Sequence, residues 1–202
     1  MIRTVLLTAF EPFDGADSNP SATVVDHVAA GWDRPEELRR AVLPVAYGRA
    51  GQALADLMTE MRPDVIVGVG LAAGRTRPGV ERLAVNLRDA RIPDNDGAQP
   101  VDEPVIAGAP LAVMTSLPVR ATVARLREAG REVDLSMSAG TFVCNAVFYR
   151  AASWAQERAG RRAGFVHVPH ERIADSVAVV RASVDDALDL PHDLRAPMGE
   201  TD

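Results

Sequence analysis

The sequence predicts an α/β fold in which helices cover both faces of a largely parallel sheet. Short apolar runs alternate along the chain with segments whose apolar residues recur at helical spacing. Parallel strands need crossover connections, and these connections place helices on both sides of the sheet. The 202 residues suit one domain of this type, and no linker or internal repeat divides them. We therefore expect a single domain over 1–190, followed by a disordered tail over 191–202.

Six apolar runs have the length expected of buried strands. These runs are Val5–Ala9, Ala41–Ala46, Val65–Gly70, Leu83–Leu87, Val133–Met137 and Gly164–Val168. The first of five expected helices, Ser21–Ala30, follows an Asn-Pro pair that favours a helix start, and the fourth covers Asn145–Arg158. The other three helices are marked by periodic apolar positions from Ala53 to Met61, from Val119 to Leu126 and from Ile173 to Leu188.

The composition is that of an ordinary soluble globular protein, with 47% hydrophobic and 25% charged residues. A formal charge of -6 argues against a nucleic-acid or anionic-membrane surface, because either surface needs clustered cationic residues. No stretch approaches the ~20 apolar residues of a membrane span, and the run Val5–Phe10 is too short for a signal peptide. Together with an unpaired cysteine, these features indicate a cytoplasmic protein.

Cys144, the only cysteine of the chain, lies where a strand-like segment changes into a helix. A single thiol excludes an internal disulfide and leaves two interpretations, a small buried hydrophobic residue or a nucleophile. Gly140 and Thr141 favour a sharp turn, and the helix is expected from Asn145 onward. Cys144 would then lie at a helix N-terminus, where we expect the partial positive charge to lower the thiol pKa and favour the thiolate.

A cysteine nucleophile needs a base that accepts its proton, and the base needs an orienting partner. His167 is the best candidate base because it lies in a buried-looking strand that ends at Pro169; a hydrogen-bonded core histidine is the alternative. His170 follows in a loop and is a second candidate. The proposed acid is Glu81, which starts an apolar strand after a glycine-containing loop. The alternative is a strand-entry charge that is paired with a neighbouring arginine.

Three of the five phenylalanines lie in two loops that we expect at the carboxyl ends of strands. Phe10 and Phe13 follow the first strand, and Phe142 precedes Cys144 by two residues. Loops at this edge of a parallel sheet converge on the ligand crevice. The three rings therefore indicate an apolar pocket for a small planar group, with capping of the core as the alternative.

Two further segments are similar to ligand motifs but fail physical tests. Gly68–Gly74 is one residue too long for a dinucleotide fingerprint, and the chain after it cannot continue as the helix that would meet a pyrophosphate. Asp94–Gly97 lacks the spacing and the closing glutamate of a calcium loop. The Cys and His content cannot supply a structural zinc site. The surrounding segment Arg88–Pro110 has no regular pattern, and a loop of this length is usually functional or disordered.

Several separated motifs together point to one protein family. They are Thr8-Ala-Phe-Glu-Pro-Phe-Asp-Gly15, Asn19-Pro-Ser21, Val69-Gly-Leu-Ala-Ala-Gly-Arg75, Glu81-Arg-Leu-Ala-Val-Asn86, Asp89-Ala-Arg-Ile-Pro-Asp-Asn-Asp-Gly97, Ser138-Ala-Gly-Thr-Phe-Val-Cys-Asn145 and Gly164-Phe-Val-His-Val-Pro169. Almost continuously from Val5 to Pro169, the chain resembles the pyroglutamyl-peptidase I (pyrrolidone-carboxylate peptidase) family. Both stretches by which the family is normally identified, around the acid and around the cysteine, are included.

The resemblance implies a three-layer α/β/α sandwich of the phosphorylase/hydrolase type, with a mostly parallel mixed sheet. It implies a cysteine peptidase that removes an N-terminal pyroglutamyl residue from peptides and proteins through a thioester acyl-enzyme. The family's nucleophile, base and acid fall on Cys144, His167 and Glu81, which are the residues selected above on chemical grounds. Arg91 matches a residue beside the cysteine, where its charge would help to stabilise the oxyanion.

The resemblance also implies a substrate pocket and a set of partners. The ring-binding residues are Phe10, Phe13, Ile92, Phe142 and Val143, with backbone groups near Leu71 binding the lactam and Asn19 supporting the phenylalanine loop. The partners are N-terminally pyroglutamylated peptides, and no metal or cofactor is required. Family members are often homotetramers.

Three features depart from the family pattern. Asp14 replaces the usual glycine beside the phenylalanine loop, and His170 stands where a tyrosine is common. The segment between Pro169 and the last helix is much shorter than usual. This shortening bears on oligomeric state and on access to the site more than on the chemistry.

Two other functions are consistent with parts of the sequence. A nucleoside phosphorylase-like enzyme on the same general fold would need a phosphate-binding arginine cluster, for which Arg75 and Arg77 are candidates, but it would leave Cys144 unused. A non-catalytic pyroglutamyl-peptide binding protein would keep the pocket with a misaligned triad, although all three triad positions are filled.

Overall fold

A computed structural model of the chain describes residues 3–199, which contain eight strands and five helices. In chain order these are β1 (Thr4–Phe10), α1 (Pro20–Ala30), β2 (Glu37–Leu43), α2 (Tyr47–Met61), β3 (Val65–Leu71), β4 (Gly79–Glu81), β5 (Leu83–Val85), β6 (Ala112–Met114), α3 (Val119–Glu128), β7 (Asp134–Ser136), α4 (Val143–Gln156), β8 (Arg162–Val168) and α5 (Ile173–Asp189). Each of these helices is too short or too polar to cross a membrane. The predicted alternation of strands and helices is confirmed.

The central sheet has six strands in the order β2-β1-β3-β8-β4-β7. Strands β2, β1, β3 and β8 are parallel to one another, whereas β4 runs antiparallel to β8 and parallel to β7. The carboxyl ends of β1, β3 and β8 therefore meet at one edge, together with the amino end of β4. Because loops after parallel strands converge at such an edge, a ligand crevice is expected there.

The helices form two layers, one on each face of the central sheet. Val5, Leu7 and Ala9 of β1 belong to one core cluster with α1, α3 and α5, whereas Leu6 and Phe10 belong to the other with α2 and α4. This division follows from the period of two along a strand, which sends successive side chains to opposite faces. The fold is thus the three-layer α/β/α sandwich with a mostly parallel mixed sheet that the sequence predicts.

The run Leu83–Leu87, predicted as one strand, is only partly a strand and lies outside the central sheet. Its first part, β5, pairs antiparallel with β6 in a separate two-stranded sheet. The strand of the central sheet at this point is the three-residue β4. Arg82 marks the change between the sheets, because its N–H donates to the carbonyl of Ser136 and its carbonyl accepts from the N–H of Thr115.

The segment 86–111 contains no helix or strand, as its composition predicts, but it is held firmly at both ends. The side chain of Asn86 donates to the carbonyls of Ile106 and Ala109 and accepts from the Ile106 N–H. Ala90 and Val105 are buried in the core cluster that contains α2 and α4. The long segment is therefore an ordered loop that packs against the same face of the sheet as α4.

The segment after α5 makes defined contacts, although the sequence predicts a disordered tail over 191–202. The carboxylate of Asp193 accepts hydrogen bonds from the backbone N–H groups of Arg120 (3.2 Å) and Ala121 (2.9 Å). Both groups belong to the first turn of α3, whose N-cap, Pro118, makes no side-chain hydrogen bond. Asp193 therefore caps α3 from a distant part of the chain. The end of the predicted tail, 200–202, lies outside the described residues.

Candidate active site

Strands β8 and β4 place a histidine beside a glutamate. His167 is in register with Gly79 of β4, and Glu81 is in register with Phe165 of β8, so all four residues face the α2–α4 side of the sheet. Nδ1 of His167 lies 2.8 Å from Oε1 of Glu81, and the exposed fractions of the two residues are 5% and 0%. Because a carboxylate can only accept, Nδ1 carries the proton, and Nε2 is left as an acceptor.

Cys144 is the second residue of α4, at the helix N-terminus where the sequence predicts it. Gly140 has a φ of 73°, in the left-handed region that glycine adopts without strain, and this lets the chain turn from β7 toward the helix. The N-cap residue Phe142 makes no side-chain hydrogen bond to the helix start. The first backbone N–H groups of α4 have no acceptor within the helix, so they can bind an oxyanion.

Gly70 on β3 brings the cysteine sulfur close to the histidine. A Cβ at position 70 would lie 2.7 Å from Sγ of Cys144, so the sulfur lies over the bare backbone of this glycine. Gly70 is the register partner of His167 on the adjacent strand β8, and adjacent strands are ~4.8 Å apart. Cys144 and His167 also line the same cavity. The three predicted triad residues are thus brought together at one edge of the sheet.

Burial raises the pKa of the Cys144 thiol to about 12, and the negative charge of Glu81 acts in the same direction. The backbone N–H of Cys144 lowers this pKa, but its effect is the smallest of the three. The expectation that the helix N-terminus favours the thiolate is therefore wrong for the free protein, because desolvation of the charged form outweighs the helix effect. The neutral thiol is the resting form at neutral pH.

An inner cavity of about 250 Å³ opens beside the cysteine and the histidine. Its wall includes Phe10, Phe13 and Phe142, the three rings that the sequence singles out. Phe142 packs against Phe13, with ring centroids 6.1 Å apart, and edge-on against Tyr47, at 5.6 Å. A cavity of this size with three phenylalanine rings in its wall suits a small neutral ring that makes few polar contacts.

Asn19 holds the loop that carries two of these phenylalanines. Its Nδ2 donates to the carbonyl of Glu11 at 3.0 Å, and its Oδ1 accepts from both the N–H and the hydroxyl of Ser21. Asn19 is also the N-cap of α1 and lines the inner cavity. These contacts are those of a residue that supports the loop between β1 and α1.

A wider outer cavity of about 440 Å³ adjoins the inner one. The residues that line both cavities are Phe13, Leu71, Thr141 and Phe142. Arg91, Ile92 and His170 line the outer cavity, so the first two lie farther out than the sequence analysis expects. Asp14 also lines it, with a φ of 53°, in the left-handed region where aspartate is tolerated and glycine is unstrained.

Val143, expected to contact the substrate ring, lies elsewhere. It has an exposed fraction of 0%, belongs to the core cluster with α2 and α4, and lines neither cavity. Successive residues of a helix point about 100° apart, given 3.6 residues per turn. Because Cys144 faces the cavity, its predecessor faces the core.

Arg75 belongs to the site, although the sequence analysis considered it only as a phosphate ligand. Its Nη2 lies 2.7 Å from Oε1 of Glu81, which forms a largely buried ion pair. The same nitrogen donates to the hydroxyl of Ser136 and to the carbonyl of Ser138. The side chain also lines the inner cavity. In the sequence, the only indication was a single arginine after a glycine-containing turn. Its partner, Glu81, can be identified only from the three-dimensional structure.

Asn145 is a second residue that the sequence analysis missed. Its side chain accepts from the N–H of Val85 at 3.0 Å and donates to the carbonyls of Val85 and Leu87 at 2.9 and 3.0 Å. Its exposed fraction is 0%. Asn145 therefore fixes the start of α4 to the end of β5. An amide next to Cys144 in an otherwise apolar helix start was the available signal.

Gly68 and Arg77, which the sequence offers as parts of a nucleotide or phosphate site, make other contacts. A Cβ at Gly68 would lie 2.5 Å from the Phe165 ring, so this glycine serves close packing inside the sandwich. Arg77, the second phosphate candidate, is paired with Asp134 at 3.1 Å near the surface. Within residues 3–199, no cluster of His, Cys, Asp and Glu side chains is arranged to hold a metal ion.

A thiol close to a carboxylate-bound imidazole, on an α/β sandwich and beside an apolar cavity, defines a hydrolase of the cysteine-peptidase class. The sequence profile of pyroglutamyl peptidases matches residues 3–188. The chain belongs to this family of peptidases.

Relatives match the chain over nearly its whole length. A pyrrolidone-carboxylate peptidase of Clavibacter michiganensis subsp. michiganensis is 44% identical over an alignment 203 positions long, which covers 93% of this chain and 95% of the relative. One from Pseudomonas fluorescens is 43% identical, with 98% and 99% covered. The solved pyrrolidone carboxyl peptidase from Thermococcus litoralis has a TM-score of 0.91 at 33% identity, with 98% and 100% covered. The family resemblance inferred from the motifs is confirmed.

Proposed function

We propose that this protein hydrolyses the bond after an N-terminal pyroglutamyl residue of peptides and proteins, with Cys144 as the nucleophile and a thioester acyl-enzyme as the intermediate. The observation that carries the proposal is the 2.8 Å contact between His167 and Glu81 beside a cavity that also exposes the cysteine. The relatives described above are named as peptidases of pyrrolidone carboxylate, which is the pyroglutamyl group. The substrate class follows from that family membership.

The inner cavity supplies what a pyroglutamyl ring needs. The ring nitrogen is part of a lactam, so a carboxylate placed to bind an N-terminal ammonium would have no function. Phe10, Phe13 and Phe142 provide an apolar wall for the flat ring. Backbone groups near Leu71, which lines both cavities, are assigned to the lactam. A mostly apolar slot, whose described lining includes no carboxylate, discriminates in favour of this ring and against charged N-termini.

The first chemical step is attack by the sulfur with transfer of its proton. Because burial keeps the Cys144 thiol protonated, Nε2 of His167 accepts the proton as the S–C bond forms. The electron pair of the carbonyl moves onto its oxygen. Backbone N–H groups at the start of α4 stabilise that oxyanion, since they have no partners within the helix.

The second step releases the peptide, and the third regenerates the enzyme. The C–N bond breaks, and the departing amine takes the proton from the His167 imidazolium. A water molecule then attacks the thioester as His167 accepts its proton, and the sulfur leaves as the thiol. Throughout these steps the Glu81 carboxylate accepts the hydrogen bond from Nδ1–H of His167. It thereby stabilises the imidazolium and keeps the neutral ring in one tautomer.

We assign the outer cavity to the peptide that follows the pyroglutamyl residue. It adjoins the inner cavity through a shared wall that includes Phe13 and Phe142. Arg91 and His170 line it, so these side chains contact the leaving peptide in our proposal. Arg91, which the family resemblance connects with the oxyanion, would act from this outer side.

The test is release of a coumarin fluorophore from pyroglutamyl-aminomethylcoumarin. The matched control substrate is the prolyl amide, whose ring lacks the lactam carbonyl and whose nitrogen is charged. We expect cleavage of the pyroglutamyl amide only, and loss of activity after iodoacetamide. Cys144→Ala should lower kcat by about 10⁴-fold or more, because removal of a triad nucleophile leaves only binding and oxyanion stabilisation.

Each negative outcome has a separate meaning. If the wild-type protein releases no fluorophore, the peptidase proposal is wrong. Binding of a pyroglutamyl peptide by calorimetry in that case would favour the non-catalytic binding protein. If Cys144→Ala keeps full activity, the thiol mechanism is wrong even though the peptidase assignment stands.

A further inference from the structure

We propose that Arg75 is a positioning residue that holds the Glu81–His167 pair in the charge state needed for catalysis. This inference rests on the proposed function. The guanidinium belongs to the turn after β3, six positions before Glu81 in the chain, and it reaches the carboxylate across the start of β4. Arg75 contacts Glu81, Ser136 of β7 and the backbone of Gly79.

Both neighbours of Glu81 bind the same carboxylate oxygen. Oε1 lies 2.8 Å from Nδ1 of His167 and 2.7 Å from Nη2 of Arg75. Within residues 3–199, Oε2 of Glu81 and Nη1 of Arg75 are buried without hydrogen-bond partners. The imidazole donates to this oxygen and the guanidinium forms an ion pair with it, so any change at Arg75 acts directly on the atom that orients the histidine.

The position of the guanidinium is fixed on two sides. Nη2 also donates to the hydroxyl of Ser136 at 2.9 Å and to the carbonyl of Ser138 at 3.2 Å. On the other side, Nη1 lies over Gly79, where an added Cβ would overlap it. Gly79 is the register partner of His167. Because Gly79 has no side chain, the Arg75 guanidinium has room to contact Glu81.

The charges of the three groups explain why a cation is needed. Glu81 has an exposed fraction of 0% and His167 one of 5%. If the buried carboxylate contacted only the imidazole, the imidazolium would be favoured, because a carboxylate–imidazolium pair is neutral overall. With Arg75 present, the neutral combination is carboxylate, guanidinium and uncharged imidazole. Arg75 therefore keeps His167 as an unprotonated base that can accept the thiol proton.

Few other charged groups face this cluster. Cys144 on α4 is close enough for Glu81 to affect its pKa, and its thiol is neutral at neutral pH. On β7 the contacting group is the uncharged hydroxyl of Ser136. Among the described residues, the ion pairs of Glu81 are with Arg75 and His167 alone. The charged groups that pair within this cluster are thus Glu81, Arg75 and His167.

The test compares Arg75→Met with Arg75→Lys and Gly79→Ala. Arg77→Met is the matched control, because it removes a neighbouring guanidinium that pairs with Asp134 outside the site. For Arg75→Met we expect the acid limb of the kcat/KM profile to move to higher pH by about one unit, since an opposite charge at this range shifts titration by that order. We also expect kcat at neutral pH to fall about 10- to 100-fold, as for outer partners of metal-bound histidines, with KM little changed.

The other variants separate charge from geometry. Arg75→Lys keeps the charge but loses the planar fork, so the acid limb should stay near its wild-type position while kcat falls. Gly79→Ala leaves the arginine in the chain but displaces it, so it should move the acid limb in the same direction as Arg75→Met. A folded Arg75→Met variant with an unchanged acid limb would overturn the proposal, as would an equal shift in Arg77→Met.

A second readout does not depend on activity. The pH at which the His167 ring signals titrate can be followed by NMR, with the signals assigned through a His167→Gln variant. We expect this titration to move to higher pH in Arg75→Met and not in Arg77→Met. If the wild-type protein fails to cleave pyroglutamyl amides, the proposed function is wrong, whereas this titration still decides whether Arg75 sets the charge state of the pair.

Discussion

Sγ of Cys144 lies over the backbone of Gly70, so closely that a Cβ at position 70 would lie 2.7 Å from the sulfur. Gly70 is also the register partner of His167. The missing side chain on β3 is therefore the feature that lets the sulfur, carried by α4, approach a base carried by β8. The glycine-rich segment, which superficially resembles a nucleotide motif, instead leaves room for the cysteine sulfur.

Gly70→Ala should reduce catalysis more than it reduces stability. The new methyl group would displace both Sγ of Cys144 and the Phe165 ring, which a Cβ would meet at 2.7 and 2.9 Å. Displacement of a reacting group by about 1 Å costs about 100-fold in rate, and overpacking costs about 1–3 kcal/mol. We expect kcat/KM for a pyroglutamyl amide to fall about 100-fold in a protein that still folds, as measured by urea denaturation.

Gly68→Ala is the matched control for that experiment. Its Cβ would meet the Phe165 ring at 2.5 Å without approaching the sulfur. It should therefore destabilise the protein to a similar extent while retaining a larger share of activity. Equal loss of activity in the two variants would show that the effect arises from Phe165 packing and not from the position of the sulfur.

Alkylation of Cys144 should be slow at neutral pH and should accelerate steadily as the pH rises. Burial raises the pKa of this thiol to about 12, so the reactive thiolate is a small fraction at pH 7 and grows about tenfold per pH unit below the pKa. Because the chain has one cysteine, iodoacetamide incorporation can be followed by intact mass. Cys144→Ala is the blank.

A plateau in the alkylation rate near neutral pH would contradict this prediction. It would indicate a thiolate–imidazolium pair in the free enzyme, as in proteases whose cysteine is deprotonated before substrate binds. The raised pKa of the buried Cys144 thiol instead predicts that the proton moves to His167 only as the sulfur attacks.

The parts of the fold that depend on periodicity were predictable from the sequence, whereas the short strands β4 and β6 were not. Long runs such as Val65–Leu71 and Arg162–Val168 have enough apolar residues to identify a buried strand. β4 and β6 have three residues each, which is too few for a period to appear. Their pairing is decided by tertiary contacts, as Arg82 shows by bonding to both sheets.

The proposed catalytic residues could be predicted because their chemistry is distinctive, whereas their environment could not. Cys144, His167 and Glu81 follow from the needs of a thiol nucleophile and from the family motifs. The direction of the thiol pKa depends on burial, which the position at a helix N-terminus does not reveal. The contact of Arg75 with Glu81 depends on the fold of the turn between β3 and β4.

Asn145→Ala should destabilise the protein and weaken catalysis together. The substitution would leave the N–H and carbonyl of Val85 and the carbonyl of Leu87 without their present partner. Buried polar groups left unpaired cost about 1–3 kcal/mol, so we expect a loss of that size in the free energy of unfolding. The start of α4 would also be released from β5, which should lower kcat. Gln52→Ala, on an exposed face of α2, is the control and should change neither quantity.

If Asn145→Ala lowered stability without changing kcat, Asn145 would support the fold alone. A loss of kcat that increases with the mobility of the first turn of α4 would instead show that Asn145 also positions the N–H groups proposed to bind the oxyanion. Crystal or NMR comparison of the Val85–Asn145 contact in the variant distinguishes these outcomes from general unfolding.

Removal of the Asp193 side chain should destabilise α3, although this residue lies in a part of the chain that the sequence predicts to be disordered. Its carboxylate accepts from the N–H groups of Arg120 and Ala121, where the proline N-cap makes no side-chain hydrogen bond. Loss of a helix cap costs about 1 kcal/mol, which corresponds to about 2–4 °C in Tm for a domain of this size. We expect this decrease in Asp193→Ala, at least as large a decrease in a truncation after Pro191, which also removes the core contact of Met198, and a smaller one in Asp193→Asn because it keeps one acceptor oxygen. A truncated protein with unchanged Tm would mean that the cap is not formed in solution and that the tail is disordered from Pro191 onward.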